Sequence, residues 1–331
     1  MEFGRVPVGE SAGAVLAHSL RAREVRLKKG RVLTREDVEA LAAAGWREVT
    51  VARLGPGDLG EDAAAARLAE ALVGAGARIR VTRAATGRVN LHAGGPGLAR
   101  IDRAAIDRVN AVDSMITVAT VPEWQRCDDR TMMATVKIIA YGVPHRAVEA
   151  ACEAGRGAIG LAEPRLARAL LIETLVGDAG PGKGAEATEA RLARLGAGLQ
   201  GPLRVAHETE ALAEALRAAT APLILILTGS ATSDPRDVGP EAVRRAGGEV
   251  LHVGMPVDPG NLLFLARLGE MPVIGLPGCA RSPALNGADW VLERVVCGVP
   301  VGPAEIAGMG VGGLLKEIPT RPRPRDHGTE G

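Results

Sequence analysis

Aromatic side chains are nearly missing from this chain. Its 331 residues include three Trp, one Tyr and two Phe. Ala, Leu and Val must therefore pack the interior, which calls for close contacts between helices and sheets. Cysteine is also sparse. Cys127, Cys152, Cys279 and Cys297 form no CxxC pair, so neither a zinc site nor a disulfide framework is indicated. His18, His92 and His145 have no partner at metal-ligand spacing. Net charge is +1, which gives no support to a wide nucleic-acid surface. No segment reaches the roughly 18–20 apolar residues that a bilayer-spanning helix needs. The first residues also lack the basic-then-apolar pattern of a signal peptide. A cytoplasmic location is the expectation.

What is present is length and apolar content. At 331 residues and 47% hydrophobic composition, two domains with sizeable cores are expected. The first half reads as α+β. Residues 11–20 have helical character. Thr34 is a good N-cap, with Glu36 and Asp37 in the first turn, for a helix ending at Gly45. Residues 48–52 alternate like a strand, 61–73 form an Ala-rich helix and 78–81 a short strand. A helix over 102–109 precedes β-rich stretches at 115–121 and 135–140. The Thr86–Asn90 and His92–Gly97 segments read as surface loops with turn glycines rather than ligand-facing ones. A helix at 144–153 is followed by a linker over 155–160. Arg321, Arg323 and Arg325 lie among prolines and read as a solvated tail.

The second half alternates strand and helix. Strands are expected at 169–176, 203–206 and 223–227, with helices at 185–195 and 208–218, an order that implies a parallel sheet covered on both faces. Leu223 to Leu227 is an unbroken apolar run, as in a strand buried on both sides. Gly177 to Gly184 fits GxxxxGK, but glycine stands where a P-loop carries its Mg²⁺-binding hydroxyl. A loop with Asp178 or Lys183 near a phosphate or metal is the better reading. Three Gly/Pro-rich loops then follow. They are Thr228 to Val238, Pro256 to Asn261 and Leu276 to Ser282, placed as a phosphate-bearing ligand at strand ends would need. Ser282 as N-cap, with Pro283 in the first turn, would start a helix immediately after the third loop. Asp237 either binds Mg²⁺ or caps the next helix. Asp258 before Pro259 is either a ligand or a turn residue. Cys279 reads as a small packing residue rather than a nucleophile, and Trp290 and Leu292 as core. The glycines from Gly308 to Gly313 make either a ligand loop or a chain reversal.

These loops resemble the signature of the molybdopterin-binding domain of molybdenum cofactor biosynthesis, shared by molybdopterin adenylyltransferases and molybdotransferases. That pattern is Thr-Gly-Gly, a hydroxyl residue two places on, a glycine two further and an aspartate three after that. Thr228, Gly229, Thr232 and Asp237 match, while Ser230 and Asp234 replace glycines. Gly247-Gly248-Glu249-Val250 opens the next strand as in the family. Asn261 takes the lysine's place in the Pro-Gly-Lys-Pro loop, and Leu276-Pro277-Gly278 begins a Leu-Pro-Gly-Asn-Pro motif in which Cys279 and Ala280 substitute. The likeness covers roughly residues 165–298; Leu16-Ala17, Lys28 to Leu33 and an Ala-Ala-Gly turn extend it less specifically to the first half.

The resemblance implies an α/β protein whose three-layer α/β/α domain with a mostly parallel sheet spans residues 166–300. Residues 1–143 would be an α+β accessory domain that covers the cleft or mediates dimerisation. Residues 144–165 would link the two, and 301–331 would extend them. Thr228, Gly229, Ser230, Thr232, Asp258, Pro259, Gly260, Asn261, Pro277, Gly278, Arg281 and Ser282 would hold molybdopterin. Asp237, with Asp234, would bind Mg²⁺, with Asp237 the key acid. The implied activity is adenylyl transfer from ATP to molybdopterin, or insertion of molybdenum from molybdate. The implied partners are a pterin and a nucleotide, a second copy of the chain, and a molybdoenzyme or nucleotidyltransferase. A non-catalytic molybdopterin carrier and a nucleotide pyrophosphatase of related fold are the alternatives.

Overall fold

A computed structural model of the chain describes residues 1–22, 25–177 and 184–315. It divides into two compact units, Met1–Ala162 and Glu163–Gly331. The tail arginines and the Asp178 and Lys183 positions lie outside the described residues.

The first unit is α+β. Strands Glu2–Pro7, Val15–Leu16 and Glu48–Arg53 pair antiparallel. Together with the helix Arg35–Ala43 they enclose Leu16, Leu33, Leu41, Val49 and Val51. Thr34 starts that helix as a full capping box with Asp37. The helix anticipated at 11–20 does not form. Gly13 takes a φ of +77°, and Val15–Leu16 pairs with Ala52 and Val51 instead. The remainder packs helices Glu61–Leu72, Arg103–Val112 and His145–Ala154 against short antiparallel strands, with Ala64, Ala65, Leu68 and Ala69 fully buried. Small side chains close the helix–sheet gap, as the shortage of rings requires. Thr86 and Gly87 form a turn of positive φ, and Arg88–Ala93 and Gly97–Ile101 are strands rather than loops. The linker read at 155–160 is also corrected. Ile159–Ala162 pairs antiparallel with Gly97–Ile101, and Val148, Ala151 and Ile159 belong to this unit's core.

The second unit is the expected three-layer α/β/α domain. Its elements are β1 (Arg168–Leu175), α1 (Gly184–Ala193), β2 (Gly198–Ala206), α2 (Thr209–Ala218), β3 (Ile224–Leu227), α3 (Val238–Arg245), β4 (Glu249–Val253), β5 (Phe264–Leu268), β6 (Met271–Leu276), α4 (Gly287–Val296) and α5 (Pro303–Ala307). They build one six-stranded sheet in the order β2-β1-β3-β6-β5-β4. The pairs β1–β2, β1–β3 and β3–β6 are parallel, and β5 alone runs against its neighbours. Every residue of β3 is buried, so its apolar run is that of a central strand. Ile172, Ile224, Ile226, Phe264 and Val273 meet Leu212 and Leu216 of α2 and Ala242 and Val243 of α3. On the opposite face α1 lies so near β3 that a Cβ on Gly184 would come within 2.2 Å of Leu227. The place a P-loop gives to serine or threonine has no room for a side chain here. On α4, Leu292 is buried and Trp290 half-buried.

Candidate functional site

The connectivity creates a crevice before any side chain is considered. From β1 the chain crosses to β2 on one side, then returns over β1 to β3 on the other. The carboxyl ends of β1 and β3, neighbours in the sheet, mark that reversal, where ligands of open parallel sheets bind. The Thr228 loop leaves β3 at this point.

The loop packs tightly on the end of β1. Gly229 N–H donates to Thr174 Oγ1 at 2.8 Å, and a Cβ on Gly229 would lie 2.8 Å from the Thr174 carbonyl oxygen. Only glycine permits that approach. Thr228 is buried, and its hydroxyl donates to the Ser230 carbonyl at 2.6 Å, which tightens the turn. Thr232 is buried, whereas Ser230 and Asp234 are exposed. Neither of the last two has positive φ, so the family's glycines are not required at these positions by backbone conformation.

The two candidate metal carboxylates face inward to their own loop. Asp237 is the N-cap of α3: Oδ1 accepts from Val238 N–H and Oδ2 from Ser233 N–H, each at 3.0 Å. Asp234 Oδ1 accepts from the Arg236 backbone at 2.8 Å and from its guanidinium at 3.2 Å, and the Arg236 contacts hold its carboxyl below the ordinary range. Asp258 is tied elsewhere, with its N–H on the Gly313 carbonyl and its own carbonyl on Leu315 N–H, both at 2.9 Å. The segment 308–313 is thus a chain reversal onto the second loop. Among the described residues no three metal-capable side chains converge.

The third loop is nonetheless joined to the first, and the second rests on the helix that follows the third. Arg281 donates to the Thr228 carbonyl at 2.8 Å, bridging loops three and one. Pro259, after a cis bond, accepts from Gly287 N–H at 2.8 Å. Gly260 has a φ of +131°, and a Cβ there would fall 2.4 Å from Gly287 N, so loop two lies on the start of α4. Asn261 and Gly278 are exposed, and Pro277 begins a 3-10 turn over Gly278–Arg281 that includes the half-buried Cys279. Ser282 does not cap the following helix. It closes that turn, and α4 starts five residues later at Gly287, where Asn286 and Asp289 form a capping box. That pair supplies a cap more completely satisfied than a lone serine could.

Four residues at this end of the domain were not anticipated. Arg191 of α1 is 4% exposed. It donates to Asp289 at 2.7 Å and to the carbonyls of Ala280, Ser282 and Ala284 at 2.8, 2.7 and 3.0 Å, stapling the third loop to two helices. Its signal was available: Gly184, Ala187, Thr188 and Leu192 share its buried stripe on α1, so a lone arginine sits in a small-residue face. Glu173 and Thr174 are polar residues inside an apolar strand, which is likewise a legible signal. Both are 1% exposed; Glu173 pairs with Arg204 at 3.2 Å, with its other carboxylate oxygen unpartnered. His207 places Nδ1 2.7 Å from Thr174 Oγ1. It also lines a cavity of about 610 Å³ at the ends of β1 and β2, together with Leu175, Val176, Arg204 and Val205.

The fold and these loops define a ligand-binding α/β domain of three layers, with its site at a topological switch point. Residues 183–295 match a family described as a probable molybdopterin binding domain, and the second unit belongs to that family. Residues 5–53 match a domain of unknown function (DUF8806). No curated protein sequence matches the chain. Among solved structures, a molybdopterin biosynthesis moeA protein from Pyrococcus horikosii is 12% identical, with 90% of this chain covering 74% of that one at a TM-score of 0.30. A molybdenum cofactor biosynthesis protein from Pyrococcus furiosus is 14% identical, with 93% covering 65% at a TM-score of 0.24. Scores this low establish no common arrangement of the whole chain.

Proposed function

We propose that the second unit binds molybdopterin and that the protein works in molybdenum cofactor biosynthesis. The observation that carries this reading is the joining of the first and third family loops at the switch point through Arg281 on the Thr228 carbonyl, with the second loop seated on the start of α4 through Pro259 on Gly287. The terminal phosphate of molybdopterin would meet the hydroxyls of Ser230 and Thr232 on the turn that Thr228 and Gly229 shape, with Arg281 and Ser282 on the facing loop and Asn261 and Gly278 at the rim. Neutral donors with one guanidinium suit a phosphate monoester.

The step performed on the bound pterin is adenylyl transfer or molybdenum insertion in the transferase reading. Mg²⁺ held between Asp237 and nucleotide phosphates would neutralise charge there. As placed, the carboxylates fit such an ion poorly, because both oxygens of Asp237 and one of Asp234 already accept N–H donors. That geometry favours a second reading, in which the protein carries molybdopterin to a partner enzyme without chemistry.

Incubating the protein with molybdopterin and Mg-ATP tests both readings. Micromolar or tighter binding is expected from the contacts named. Release of pyrophosphate would remove the carrier reading, and binding without turnover would remove adenylyl transfer. Absence of pterin binding, with hydrolysis of a nucleoside diphosphate sugar, would overturn the proposal in favour of a pyrophosphatase.

A further inference from the structure

We infer that His207, acting through Thr174, is a positioning residue that holds the Gly229 turn of the signature loop. The inference deepens the preceding proposal and rests on it for the identity of the ligand. Thr174 Oγ1 accepts the Gly229 N–H at 2.8 Å and lies 2.7 Å from His207 Nδ1. Because the oxygen receives the amide proton, the hydroxyl's own proton is free to point to Nδ1. Thr174 either donates this proton to Nδ1 or accepts a second one from it, so the chain of bonds from Gly229 through Thr174 to His207 holds with either imidazole tautomer. His207 is itself fixed, since its backbone N–H donates to the Leu175 carbonyl at 2.8 Å.

Burial makes this chain consequential. Thr174 is 1% exposed, so loss of either partner leaves a hydroxyl without water to replace it. The tight fit of Gly229 on the Thr174 carbonyl allows the loop no alternative seat nearby. His207 at the same time forms part of the cavity wall beside Arg204. One residue of the β2–α2 connection therefore determines the attitude of a loop that follows β3, and does so across β1. The Gly229 amide faces into the protein. Its neighbours in the turn are the groups oriented toward ligand, and they keep that orientation only while the amide stays bound.

The test uses amide hydrogen exchange at Gly229 in the unliganded full chain, together with molybdopterin affinity. Thr174→Ser and His207→Asn keep a hydroxyl and an acceptor in place. Both are expected to retain slow exchange and affinity within threefold of the parent. Thr174→Val and His207→Leu are expected to speed Gly229 exchange at least tenfold and weaken molybdopterin about tenfold. His207→Leu reaches the turn only through the relay, so it decides the matter even if Thr174→Val fails to fold. Unchanged exchange at Gly229 in His207→Leu would overturn the inference. If the parent protein binds no molybdopterin, the functional proposal falls, and the exchange pattern alone still decides the positioning role.

Discussion

The first and third loops of the second unit meet at Arg281, yet they are built by opposite means. Apart from the long-range anchor at its start, Gly229 on Thr174, the first loop is held by its own residues: Asp237 accepts from two amides within four positions, Asp234 pairs with Arg236, and Thr228 bonds to Ser230. The third loop is held from a distance by Arg191, which comes from about 90 positions earlier and is almost wholly buried. Short-range exposed contacts let a segment adjust at small cost, whereas a buried guanidinium with a full set of acceptors fixes it. The third loop is therefore the fixed jaw of the crevice, and the first is adaptable beyond its anchored Gly229 turn.

Substitutions at four positions would break or sharpen that contrast. Arg191→Met should be the most damaging, because it strands the buried Asp289 carboxylate and three carbonyls. A loss of about 3–5 kcal/mol in urea unfolding of the full chain is expected. Gly260→Ala forces a side chain into backbone at positive φ, and about 2–3 kcal/mol should be lost. Asp237→Ala removes the cap of α3 and should cost about 1 kcal/mol, with Asp237→Asn recovering most of it. If Asp237 also serves a metal, Asp237→Asn would instead abolish Mg²⁺-dependent turnover at undiminished stability, and activity assays separate the two roles. Arg236→Ala removes an exposed pair and should change stability by less than about 0.5 kcal/mol. Equal effects of Arg191→Met and Arg236→Ala would dissolve the distinction between the two loops.

Much of the architecture was legible because local chemistry and global fold agree. The apolar β3 run, the Thr34 cap and the alternation of strand and helix each follow from their own residues. The helix read at 11–20 failed because pairing with Val51 and Ala52 outweighs weak local propensity around Gly13. The Ser282 cap failed because a serine–proline pair is compatible with a helix start without requiring one, and the capping box at Asn286 is stronger. Asp237 shows a subtler limit. Sequence places a carboxylate at the head of α3, but a cap and a metal ligand share that position, and only the two amides at 3.0 Å reveal the first role. Arg191 and Thr174 stand out as polar residues in apolar segments, but their partners, like that of His207, lie beyond any window along the chain.

The shortage of rings noted at the outset has an optical consequence. Trp46 and Trp124 lie in the first unit, and Trp290 is the second unit's only tryptophan. It follows Asp289 directly on α4, half-buried beside the carboxylate that receives Arg191. With Trp46 and Trp124 replaced by Phe, the intrinsic emission of the chain would come from one indole adjoining the fixed jaw. The protein thus contains its own probe of whether that jaw moves when a ligand arrives.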